Sequence, residues 1–171
     1  EGDIPAFLNG AATQSNYTAT NIGIFLPDVA YDTGMLEQTR DNASDTLFPR
    51  IRGTRSSVPA GIVYDQFVAS YAAAYGGELA SGYSAHSYDA TWLAIYSTSW
   101  SLANEGKISS LGMARGLRKV SSGTSVEIRP TSWNTVHATF ESGQGIDVVG
   151  AAGPLNFDPA TEETASAIDI W

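Results

Sequence analysis

Two residues of this chain stand where a side chain could meet a small polar ligand. Asp28 follows the apolar run Ile22 to Leu26, which Pro27 closes. A carboxylate just past a buried strand points out of the carboxyl end of a sheet, the edge at which open α/β sheets bind their ligands. There it can receive an ammonium group in a charge-assisted hydrogen bond. The same acid after a proline also serves as a turn former that bonds its own backbone. Tyr83, in Gly82-Tyr-Ser-Ala-His86, precedes a helix expected to begin at Tyr88. A tyrosine offers apolar area and one hydroxyl, which suits a small zwitterion, or it caps a helix end from the core. Signals for catalysis are weaker. The chain has no G-x-S-x-G elbow, no G-x-x-x-x-G-K-[ST] loop and no G-x-G-x-x-G turn. His86 and His137 lie far apart without a metal-binding His/Glu spacing, and each reads as a capping or packing residue on a helix.

The elements that must position these residues are legible from periodicity. Asp3-Ile-Pro5 starts a helix whose apolar face, Phe7, Leu8, Ala11 and Ala12, runs over about Pro5–Asn16. Ile22–Leu26 reads as a strand and Thr33–Thr39 as a short helix. Residues 41–62 read as a connection with a brief strand around Arg50–Gly53. Four helices follow, over Ile62–Tyr75, Tyr88–Ala103, Ile108–Val120 and Ser132–Ser142. Tyr88, Trp92, Tyr96 and Trp100 recur at four-residue steps. Such a stripe could stack on sugars, but at helical spacing it reads as core or lobe interface. Strands are expected at Val126–Arg129, Ile146–Val149 and from Ile168 to Trp171. Gly150-Ala-Ala-Gly-Pro154 reads as a structural small-residue turn. Strands interleaved with helices argue an α/β layered architecture.

Several of these segments resemble one family. Gly145-Ile-Asp-Val-Val-Gly-Ala-Ala-Gly-Pro-Leu-Asn-Phe-Asp158 is similar to the "Gly-Ala-Ser-Gly-Pro, apolar, Asx, Phe-Asp" segment of the solute-binding proteins of branched-chain amino acid ABC transporters. Tyr64 to Gly76 resembles that family's "F…Y…YG" helix, and Ser87-Tyr-Asp-Ala90 with Trp92-Leu-Ala-Ile95 its "Tyr-Asp-Ala" helix start. Ile51-Arg-Gly-Thr54 with Pro59 resembles its crossover, and Phe25 to Val29 with Met35-Leu36 a strand-then-acid segment. The pieces occur in family order over roughly residues 5–171.

The resemblance implies a type I periplasmic binding protein. Its members are two-lobed and doubly wound, with parallel sheets in three α/β/α layers. These residues match the C-terminal, smaller part of such a chain, so the molecule is expected to be a fragment. Glu1 in place of Met leads us to expect a native start upstream. Residues 1–40 would belong to the second lobe, 41–62 to the crossover connection, 63–160 to the first lobe, and 161–171 to a strand returning toward the second lobe. The implied function is binding, without catalysis or cofactor, of an amino acid or related small amide between the lobes. Asp28 would receive the ligand's amine and Tyr83 would wall its side chain. The implied partner is an ABC permease in the membrane, and the implied location periplasmic or extracellular, with a lipid anchor on the upstream N-terminus as one form. A fragment of an α/β enzyme such as a hydrolase, or a receptor ectodomain of the same fold, is the alternative.

Composition agrees with a folded, acidic domain. The chain has 171 residues, 43% of them hydrophobic, and a formal net charge of −9. That charge repels phosphate backbones, so nucleic acid is not expected as a partner. Cysteine is absent, which removes disulfides, thiolate metal sites and thiol nucleophiles. No apolar run reaches the roughly eighteen residues of a membrane span.

Overall fold

A computed structural model describes residues 3–19, 21–43, 45–78 and 80–171. The chain opens with helix α1 (Asp3–Ala11) and a single turn, α2 (Ser15–Thr18). The continuous helix expected to Asn16 is thus broken in two. Strand β1 (Ile24–Leu26) stops at Pro27, and a 3₁₀ turn (Asp28–Ala30) leads to α3 (Thr33–Ala43). Strand β2 (Ile51–Ser56) then lies parallel to β1, with Ile24 opposite Ile51 and Leu26 opposite Gly53. Strand, helix and parallel strand form a βαβ unit. Helix α3 outruns its expected end at Thr39 because its buried stripe is Met35, Thr39 and Ala43. Thr39 tolerates full burial because its hydroxyl donates to the Met35 carbonyl at 2.8 Å.

Next come α4 (Ile62–Ala74), α5 (Gly82–Glu105) and α6 (Ser110–Leu117). Strand β3 (Thr124–Glu127), a 3₁₀ turn (Pro130–Ser132), α7 (Trp133–Glu141), β4 (Ile146–Gly150) and the short β5 (Gly153–Pro154) follow. Strand β6 (Ile168–Ile170) pairs antiparallel with β2. The α/β class expected from the sequence is present. The sheets themselves are small and mixed, ordered β1-β2-β6 and β3-β4-β5, each with one parallel and one antiparallel pair. Among the described residues no helix is long and apolar enough to cross a membrane.

The chain divides into two compact units, residues 1–57 with 166–171, and residues 58–165. In the first, Leu8, Leu26, Met35, Ala43, Leu47 and Ile51 make the core. The opposite face of its sheet carries Phe25, Ile168 and Ile170, which are 65, 66 and 75% exposed. In the second unit, Phe67, Tyr96, Val136, Phe140, Ile146 and Val148 are buried around β4. The four-residue aromatic stripe packs here: Tyr96 and Trp100 are buried, and Tyr88 and Trp92 lie against the same core. Burial also pushes the Tyr96 phenol up to about 12, with Tyr88 adding to the shift.

Helices α5 and α6 meet through residues too small to hold them apart. Gly112 and Gly116 of α6 face Ser101 and Ser97 of α5, both pairs at helical four-residue spacing. A Cβ on Gly116 would sit 2.7 Å from the Ser97 carbonyl oxygen. That obstacle is backbone, which no rotamer change removes. Gly116→Val is therefore expected to destabilise the chain by about 2–4 kcal/mol in denaturant unfolding. An unchanged midpoint would show that the two helices are not packed this closely.

Candidate ligand-binding site

The second unit contains a cavity of about 570 Å³, within the range of roughly 300–1,000 Å³ typical of small-molecule sites. One wall is α4, whose Phe67 and Tyr71, with Tyr75 just past its end, recur every fourth residue and so share one face. The first turns of α5 supply Tyr83 and Tyr88, and the segment that leaves β3 supplies Ile128, Arg129 and Pro130. Strands β3 and β4 are parallel, so this segment marks the carboxyl end of the pair. Ligands bind at that end of open α/β sheets. The rings touch one another: Phe67 and Tyr88 are 5.1 Å apart between centroids, and Tyr71 and Tyr75 4.6 Å.

The two residues singled out from sequence fall in different units. Tyr83 lies in the first turn of α5, not ahead of the helix as expected, because α5 begins at Gly82. It is 52% exposed and lines the cavity. Asp28 opens the 3₁₀ turn after β1 and is half-buried. Its Oδ1 accepts the Val29 N–H at 2.9 Å, so the turn-forming use of the carboxylate is realised. Asp28 belongs to the first unit and Tyr83 to the second.

Sequence reasoning gave Asp89 no role. This residue is only 2% exposed, yet it is a carboxylate. Its Oδ1 accepts the Ala151 N–H and its Oδ2 the Ala152 N–H, both at 2.7 Å. The acid thus ties the start of α5 to the turn that ends β4. Burial pushes its pKa up. The Ala152 and Ala151 N–H groups and the nearby His86 oppose that shift without cancelling it. The turn must be small for the carboxylate to fit. A Cβ on Gly150 would fall 2.3 Å from Asp89 Oδ2, which explains the glycine that ends β4. The signals were present in sequence, an acid inside an apolar helix and a run of small residues, but nothing in the sequence pairs them.

His137 makes two polar side-chain contacts. Ser99 Oγ lies 3.3 Å from His137 Nδ1, and His137 Nε2 lies 3.5 Å from Glu141 Oε1. Both are longer than the roughly 2.6–3.2 Å of a tight nucleophile–base hydrogen bond. Ser99 is buried midway along α5 and does not line the cavity. His137 also stacks on Trp133 of the same helix, with rings 3° from parallel. No cluster of His, Cys, Asp or Glu among the described residues could hold a metal ion. Compared with protein-family models, curated proteins and solved structures, the chain gives no significant match.

Replacing Asp89 with Asn keeps the shape, loses the charge and turns an N–H₂ toward one of the two amide donors. The expected cost is about 2–4 kcal/mol of unfolding free energy. The sign of the pH dependence follows from the raised pKa. The favourable contribution of proton binding is fully present below 3.8, the ordinary value, and is lost as pH rises through the higher folded value. The stability gap between the native chain and Asp89→Asn should therefore narrow as pH rises through that window. Unfolding curves across the acidic range measure it, and a gap that widens would mean that the folded pKa is lowered.

Proposed function

We propose that this chain forms part of the solute-binding component of an ABC importer, of the two-lobed type I periplasmic binding protein kind, and takes an amino acid or related small amide. The observation that carries the reading is the position of Tyr83. The residue that the family resemblance assigns to the ligand wall lines a cavity at the carboxyl end of a parallel strand pair. The resemblance supplies the rest: a membrane permease as partner and a periplasmic or extracellular location. The Asp89 link supports the same reading, because it joins two of the segments on which the resemblance stands, 87–90 and 145–158.

In this reading the protein does no covalent chemistry. Binding shifts its conformational populations, and the permease responds to the ligand-bound form. Asp28 receives the ammonium group at the carboxyl end of β1, where its half-burial strengthens a charge-assisted bond over one in bulk water.

The test is calorimetric titration with amino acids and their amides. Truncating one partner of a buried charge pair costs about 2–5 kcal/mol of binding. Asp28→Ala should therefore weaken amine-bearing ligands by roughly 30-fold to several-thousand-fold, with a modest fall in melting temperature from the lost Val29 hydrogen bond. Tyr83→Ala should weaken ligands of the second unit's cavity by roughly tenfold or more. Parent-like affinity in Tyr83→Ala means that the cavity of the second unit is not a ligand site, and in Asp28→Ala that the acid of the first unit is not one. A lower melting temperature with unchanged affinity for Asp28→Ala assigns that residue to its turn alone.

A further inference from the structure

The lining of the cavity is specific in chemistry as well as in shape. Five aromatic side chains, Phe67, Tyr71, Tyr75, Tyr83 and Tyr88, face it, and two of these, Tyr75 and Tyr83, are 58 and 52% exposed. Half-exposed tyrosines present apolar ring area together with polar hydroxyls, a surface suited to flat rings. Among the described lining residues Arg129 carries the sole formal charge, and there is no carboxylate. The N-terminus of the 24-residue helix α5 opens onto the same space through Ser81, Tyr83 and Ser84, and its dipole also favours an anion.

Arg129 is incompletely used. One Nη2 meets the Glu127 carboxylate, while Nε is buried with no hydrogen-bond partner. A guanidinium has five donors in a rigid fork that matches a carboxylate two at a time. The side chain is partly exposed, so its remaining Nη donors can meet an incoming acceptor while Nε stays buried. The rest of the polar lining is neutral, Gln66 and the hydroxyls of Ser70, Ser81, Ser84, Ser87 and Thr91, and no Asp or Glu lines the cavity among the described residues.

We infer that the cavity of the second unit takes ring-bearing carboxylates, with the ring against the tyrosine walls and the acid on Arg129. The inference rests on the ligand-binding reading above and narrows its ligand to compounds that carry both a ring and a carboxylate.

Titration of the 171-residue chain, followed by backbone amide NMR shifts, tests it with four probes: phenylacetate, 2-phenylethanol, acetate and L-leucine. Phenylacetate should bind at least tenfold more tightly than the neutral ring or the ringless acid and should shift amides of α4, the first turns of α5 and residues 128–130. Arg129→Gln should erase the advantage of phenylacetate over 2-phenylethanol and leave the weak affinity of the alcohol unchanged. Arg129→Lys, which keeps the charge but not the fork, should retain part of that advantage, and it stands in if the Gln variant does not fold. Equal affinity for phenylacetate and 2-phenylethanol, or an advantage that survives in Arg129→Gln, overturns the inference. If L-leucine shifts the cavity amides and phenylacetate does not, the ring-carboxylate class fails while the ligand-binding reading stands. If no probe shifts them, both fail.

Discussion

The second unit hangs on one buried carboxylate. Asp89 enters an otherwise apolar helix and is desolvated almost completely, at a cost that only good partners can offset. Its partners are two backbone N–H groups at the point where β4 ends, one for each carboxylate oxygen. Because both oxygens are used, the link fixes orientation as well as distance. It sets the first turns of α5 against the carboxyl end of the strand pair. Tyr83 and Tyr88 lie on those turns, and Arg129 leaves the neighbouring strand at the same end. The cavity is thus a consequence of where Asp89 pins its helix. The glycine at position 150 is a second consequence, since any side chain there would occupy the volume of the carboxylate.

Much of the fold was legible because its buried faces are periodic. Phe67 of α4, Val136 and Phe140 of α7, and the alternating Ile146 and Val148 of β4 follow helical or strand spacing and are buried where that spacing puts them. The misses have local physical causes. Thr39 reads as polar, so α3 looked shorter than it is, while its hydroxyl is in fact satisfied within the helix. Gly82 is a poor helix former, so the start of α5 was placed at the first aromatic of the stripe rather than six residues earlier. Strand β3 begins at Thr124 instead of Val126 because it is an edge strand. Its pairing with β4, Thr124 opposite Ile146, defines it more than any apolar run does. Strand β5 passed for a turn since two residues, one of them proline, carry no strand signal of their own.

The site was only partly legible. Tyr83 could be named as a wall through the family resemblance, with a helix-capping core role as the alternative, and it lines the cavity. Asp28 could be named as an acid at a strand end, and it does open the turn there. Arg129 and Asp89 could not be named. Arg129 sits in a strand-to-turn segment where cations are common on any surface. Its meaning comes from tyrosines contributed by α4 and α5, about forty to sixty residues away in sequence. Asp89 depends in the same way on amides sixty-two and sixty-three residues downstream. Both are tertiary facts, and one-dimensional patterns record only what lies within a helix turn or a strand pleat.

The claim that joins these observations is that the Asp89 link holds open a built site for a ring-bearing acid. A crystal structure of the chain grown with phenylacetate tests it most directly. The ring is expected between α4 and the first turns of α5, its carboxylate within hydrogen-bond distance of the Arg129 guanidinium, with Asp89 still accepting from Ala151 and Ala152. A ligand seated elsewhere, or a cavity closed by rotation of α5 away from those two amides, would contradict it.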